Sequence, residues 1–186
     1  AGDRERLALA ERQLAELRTI DLGALDDATR LSWKVFESSE ERRVARYPWR
    51  NHSYVFDKDG THVSLPAFLI NTHRVASEQD ANAYLRRLEG VRAYMDQRLV
   101  RATAAARLGI LPPRFVFPYV IGDARNVITG RPFDHGTADS PLLADFRGKV
   151  AIPAIDEARR ESLLARAELA LLTSVKEAVD NSLDAC

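Results

Sequence analysis

Few residues in this chain have the types and spacing that chemistry needs. Its histidines are His52, His62, His73 and His135. None falls in an HExxH pattern, which places two metal ligands one helical turn apart around a general base. His62 and His73 lie in or beside an irregular stretch near residues 49–73, with Asp57 and Asp59 close in sequence. That grouping would suit a cation, although histidines beside turns are more often solvated or hydrogen-bonded. A nucleophile elbow of the G-x-S-x-G type does not occur, and neither does a Walker or G-x-G-x-x-G phosphate cradle. Cys186, the single cysteine, is the last residue and a poor nucleophile candidate.

The polar cluster Arg114, Asp123, Arg125, Asn126, Arg131 and Asp134 is the best remaining candidate for substrate contact. A guanidinium presents a planar fork matched to a carboxylate. For Arg125 the carboxylate could belong to a substrate, or to Asp123 or Asp134 of the same chain. The second alternative makes the cluster an ion-paired elbow that fixes a loop against helices. Trp49, Tyr54, Phe56 and Phe68 could line a groove or plug the edge of a core.

The elements that must position these residues are mostly helical. Leu7, Ala10, Leu14 and Leu17 recur at spacings of three and four, which predicts an amphipathic helix over residues 3–19. Asp26 is placed to cap a second helix, with Ala28, Leu31 and Val35 as its expected buried stripe, ending near Arg46 before Pro48. Asp57-Lys58-Asp59-Gly60 reads as a turn between Tyr54-Val55-Phe56 and His62-Val63, a short hairpin or an irregular insertion within residues 49–72. Pro66 suits the first position of a helix. Ser77 and Asp80 form a capping-box pair for a long helix along Tyr84, Leu88, Val91, Met95, Leu99 and Ala102, with Gly90 inside it and Gly109 as its stop. A helix from near Pro113 or Pro118, a loop over residues 129–139, a helix after Ser140-Pro141, and a last one capped by Asp156 through Leu163, Ala167, Leu171 and Val175 complete the order. The expected fold is mainly α, an antiparallel helical bundle or array in one domain over residues 1–186.

Composition agrees with a water-exposed globular chain. Apolar residues make up 46% and charged residues 29%, and 27 Lys plus Arg balance 27 Asp plus Glu. No net field favours nucleic acid, and no apolar run approaches the roughly 18 residues of a membrane span. One cysteine excludes an intrachain disulfide, which suits the cytoplasm or a disulfide-free periplasmic protein. The start at Ala1 leaves room for a removed export signal.

One stretch carries a resemblance. PPRFVFPYVIGDARNVITGRPFD (residues 112–134), followed by DSPLLADF (139–146), is similar to the N-terminal helical region of the bacterial domain of unknown function 885 family. RLSWKVFESSEERRVARYPWRNHSY (30–54), LPAFLINTHRV (65–75) and DANAYLRRLEGV (80–91) fall in the same order as in that family. The resemblance covers most of residues 26–150; Asp57-Lys58-Asp59 departs from the family pattern and the tail after Ala170 matches weakly. Members are mainly helical, and the resemblance implies a similarity to zinc metallopeptidases whose His-Glu…His-His motif lies in a C-terminal half. It implies zinc for the full-length family and no cofactor in this chain. The partners it implies are a C-terminal catalytic lobe or a partner helix surface, and a peptide substrate; self-association is a further possibility. Export is common in the family, so a periplasmic or secreted location is expected, with the cytoplasm as the alternative. The chain is thus expected to be a non-catalytic lobe shaping a peptide channel, or else a stand-alone helical binding module.

Overall fold

Helix after helix follows the apolar spacing along the chain, and the described residues contain no β-strand, only an isolated bridge between Arg131 and Asp139. The computed structural model describes residues 2–57 and 60–185, with the backbone alone for 61–63. The turn residues Lys58 and Asp59, the His62 side chain and Cys186 therefore lie outside the described residues. The chain divides into two compact units, Ala1–Ser53 and Tyr54–Cys186.

The first unit is a helical hairpin, α1 (Asp3–Leu17) against α2 (Asp27–Arg46). Ala10 and Leu14 of α1 are buried as the spacing predicts. The Asp26 carboxylate accepts the Thr29 N–H at 2.7 Å and caps α2. The stripe expected on α2 is wrong, however: Leu31 is 64% and Val35 60% exposed. The face turned to α1 is set by polar anchors instead. The Trp33 indole donates to the Leu17 carbonyl at 2.9 Å, and Arg18 pairs with Glu37 and Glu41. A 3₁₀ turn, Tyr47–His52, closes the unit, its Pro48 consistent with the end of α2.

The second unit begins irregularly and enters α3 (Thr61–Asn71). The predicted hairpin is absent, because residues 62 and 63 are helical rather than extended. Pro66 sits inside α3 rather than at its first position. It lacks the N–H that would reach the carbonyl of residue 62, so one intrahelical bond is missing in the middle of α3. The long helix predicted over residues 77–109 is two helices, α4 (Glu78–Glu89) and α5 (Val91–Arg107), joined at Gly90. Ser77 and Asp80 cap α4 reciprocally: the Asp80 N–H donates to Ser77 Oγ (3.3 Å), while the Ala76 N–H donates to the Asp80 carboxylate (3.1 Å). Gly109, at φ 74°, ends the run after α5 in the left-handed region. A 3₁₀ turn, Arg114–Val116, leads into α6 (Phe117–Val127), which confirms the helix over a strand at Phe115–Phe117.

α7 (Pro141–Val150) follows Ser140, which occupies the N-cap position without a capping bond from its hydroxyl. α8 (Glu157–Ala170) is capped by Asp156, whose carboxylate accepts the Arg159 N–H at 2.8 Å. It continues through a π-helical segment, Leu171–Lys176, into α9 (Glu177–Asp184). The core gathers Tyr84, Leu85 and Leu88 from α4, Leu143, Phe146 and Val150 from α7, and Leu163, Ala167 and Leu171 from α8 and its continuation. Burying each large side chain contributes roughly 1.5–3 kcal/mol. A smaller cluster of Phe56, Val116 and Val120 packs with Leu99 and Ala102, and holds the start of α6 against α5.

Candidate functional site

The cluster read between Arg114 and Asp134 does not converge. Arg114, Arg125 and Asn126 are exposed and Asp123 is half-buried, spread along the 3₁₀ turn and α6. Neither Asp123 nor Asp134 pairs with Arg125 among the described contacts. Asp134 instead accepts the N–H groups of Gly130 and Gly136, each at 2.8 Å. Those bonds lower its pKa from the usual carboxylate value. Arg131 pairs with Asp139 at 2.8 Å, and Arg147 reaches the other oxygen of the same carboxylate at 2.7 Å. The Arg147 bond is the main cause of the lowered pKa of Asp139. The 129–140 loop is thus an ion-paired elbow, and Gly130 is required there. At φ 88°, a Cβ would sit 2.9 Å from the Ser140 nitrogen.

Polar groups do converge where α3, α4 and α7 meet. The Tyr84 hydroxyl, on a fully buried ring, donates to Asp145 Oδ2 at 2.9 Å. Lys149 Nζ donates to that same oxygen at 2.8 Å and to the carbonyls of Leu69 and Ile70 at 2.6 and 2.9 Å. The ammonium therefore has three acceptors, two of them carbonyls in the last turn of α3 that lack an intrahelical partner. Burial first, and then the Asp145 charge, raise the Tyr84 pKa well above its usual value, so the phenol stays protonated as a donor. The Tyr84 ring contacts Phe146 (centroids 4.9 Å apart) and stands edge-on to His73 (5.1 Å).

His73 links this network to the surface. Arg87 Nη1 donates to His73 Nδ1, and His73 Nε2 lies 3.1 Å from the Asp80 carbonyl. Because a guanidinium only donates, Nδ1 must accept and Nε2 carries the proton: His73 is neutral. Burial is the main reason its pKa falls below the ordinary 6.5, reinforced by the nearby charges of Arg87 and Lys149. Beyond His73, the Arg87 guanidinium lies 5.3 Å from the Phe68 ring centroid and lines an open groove of ≈ 390 Å³. Leu65, Phe68, Gly90, Val91 and Tyr94 share its wall. Of the aromatic candidates, Phe68 lines this groove, and Phe56 packs into the smaller apolar cluster.

A second polar joint fixes the α4–α5 corner. Ser174, in the π segment, donates to the Glu89 carbonyl at 3.0 Å and accepts the Arg92 N–H at 3.1 Å, spanning the break at Gly90. Arg166 holds the Glu89 carboxylate with two bonds, of 2.6 and 2.9 Å, which lowers the Glu89 pKa.

The zinc implied by the resemblance finds no ready donor set. Both ring nitrogens of His73 are engaged, and no three or more His, Cys, Asp or Glu gather as ligands among the described residues. No described helix is long and apolar enough to cross a membrane.

The described residues are helical throughout their regular structure, and the Tyr54–Cys186 unit carries a braced polar core and a groove lined by Phe68, Arg87 and Tyr94. The chain belongs to the family described as "Bacterial protein of unknown function (DUF885)", which matches residues 1–185 and so reaches past both ends of the 26–150 stretch. No curated protein and no solved structure gave a match.

Proposed function

We propose that this chain is a non-catalytic helical lobe of a metallopeptidase-like protein that walls one side of a peptide channel. The observation that carries the reading is the surface at the α5–α6 turn. Phe115 is 71% and Tyr119 64% exposed, four residues apart, and Leu108 and Leu111 just before them in sequence are exposed as well. Four arginines and no carboxylate occur from Gln97 to Gly122, in a chain whose total charges balance. Large exposed apolar residues rimmed by charge mark surfaces that another surface covers, and here the complement would be acidic with an apolar centre. In this reading the partner is a C-terminal catalytic lobe or a partner helix surface, zinc belongs to that lobe, and the substrate is a peptide. Arg114, Asp123, Arg125, Asn126 and Arg131, in or after this stretch of sequence, are its candidates for substrate contact, and a periplasmic or secreted setting goes with it. The test is to incubate the purified chain with zinc and a peptide mixture and follow the products by mass spectrometry. No cleavage is expected; chelator-sensitive cleavage would sink the reading.

A stand-alone binding module is the second reading, favoured by the contiguous core within the Tyr54–Cys186 unit. It predicts a cooperatively unfolding species of one defined size in light scattering, and an aggregated or molten chain counts against it.

A further inference from the structure

We infer that the groove between α3 and the α4–α5 corner binds an apolar carboxylate, as presented by the C-terminal residue of a peptide. The inference rests on the peptide-facing reading above only in taking the ligand to be a peptide. Leu65, Phe68, Val91 and Tyr94 give the groove apolar and aromatic walls, and Arg87 is the one charged residue among those lining it. Its size falls at the lower end of small-ligand sites, about 300–1,000 Å³.

Arg87 is held rather than merely exposed. His73 accepts one of its five N–H donors and the Phe68 ring lies against the guanidinium. His73 is itself fixed by the Asp80 carbonyl and the Tyr84 ring. No carboxylate pairs with Arg87 among the described residues, whereas Arg166 of the same unit carries Glu89 with two bonds. A neutral partner leaves the charge of Arg87 uncompensated and its remaining donors available. A positioned fork without an anion is complementary to a carboxylate. The aromatic pair Phe68 and Tyr94 then suits an aromatic or branched side chain next to that carboxylate.

The test titrates the isotopically labelled full chain with the tetrapeptide Ala-Ala-Ala-Phe, as free acid and as C-terminal amide, and with N-acetylphenylalanine, following amide shifts by NMR. The expected result is that the free-acid peptide perturbs residues 64–68 and 87–94, while the amide binds at least roughly tenfold more weakly. N-acetylphenylalanine separates the two sources of the carboxylate: equal or tighter binding than the peptide would reassign the groove to small acids and overturn the peptide C-terminus. Arg87→Gln should weaken the free acid about tenfold and leave the amide unchanged. Tyr94→Ala, a change at an exposed position, should weaken both. Equal affinity for acid and amide, shifts confined to other residues, or no binding up to about 10 mM would overturn the inference. None of these outcomes depends on zinc or on cleavage, so a failure here leaves the lobe reading standing.

Discussion

Replacing Lys149 with Met tests whether the junction of α3, α4 and α7 is held by its charge network or only by the apolar core around it. Met keeps much of the length and apolar stem of Lys and removes the ammonium. Three bonds are lost: those to the Leu69 and Ile70 carbonyls and that to Asp145. Asp145 keeps only the Tyr84 hydroxyl, and its carboxylate is largely shielded from water. Each buried polar group left without a partner costs about 1–3 kcal/mol, and a stranded charge more. Residual solvent access lowers the sum, so a loss of about 3 kcal/mol is expected. For a chain of this size that is a melting-temperature drop of roughly 6–12 °C. Urea denaturation followed by circular dichroism measures it. Adding Asp145→Asn should recover about 1 kcal/mol, because the amide still accepts from Tyr84 and no longer strands a charge. The α3 carbonyls remain unpaired in both variants, so recovery stays partial. A single-variant cost under about 1 kcal/mol, or no recovery in the double variant, would refute the reasoning.

Three further outcomes follow from the same geometry. Gly130→Ala should cost about 2 kcal/mol or more in thermal unfolding, since the left-handed φ and the backbone of Ala138 and Ser140 both oppose a Cβ. Ser174→Ala should cost about 1–2 kcal/mol and raise hydrogen exchange at Arg92, whose N–H loses its acceptor across the Gly90 break. His73 is neutral when folded, with a pKa below 6.5, so the unfolded chain takes up that proton first. Its contribution to stability is complete above pH 6.5 and is lost as the pH falls toward the lower folded value; Arg87 and Lys149 face the ring and oppose its protonation, while Asp80 favours it. The urea midpoint should therefore fall from pH 7.5 to 5 in the wild type and fall less in His73→Asn.

Periodicity carried most of the helices into view, because each stripe is a local property of the sequence. The caps at Asp26, Ser77–Asp80 and Asp156 were legible for the same reason: donor and acceptor lie within three residues. What failed was the choice of face on α2. Apolar spacing favours Leu31 and Val35, but Trp33 and the Arg18 ion pairs orient the helix, and those partners come from α1. The break at Gly90 was hidden because its support, Ser174, lies 85 residues from Glu89. The polar junction was hidden likewise: Tyr84 and Asp145 are 61 residues apart. One signal was available, an acidic and a basic residue at i and i+4 (Asp145 and Lys149) in a helix with an otherwise apolar face, matched by a tyrosine on an apolar stripe. Between Arg114 and Asp134 the charges divide: Arg131 and Asp134 bond within their own loop, while Arg114 and Arg125 stay exposed on the turn and helix before it.

The π segment at Leu171–Lys176 preserves the phase of everything after it. A π turn holds an extra residue that an α-helix would not, so it works as a one-residue insertion absorbed without breaking the rod. Removing any single residue there would let the backbone relax to regular α geometry, a mild change locally. The wide turn takes up the extra residue, so the helix after it keeps the phase it would have without the insertion. Ala178, Val179 and Ser182 would stay on the core, and Glu177 beside Arg92. A single deletion is therefore milder here than in the regular helix that follows, where it would turn every later residue by about 100°.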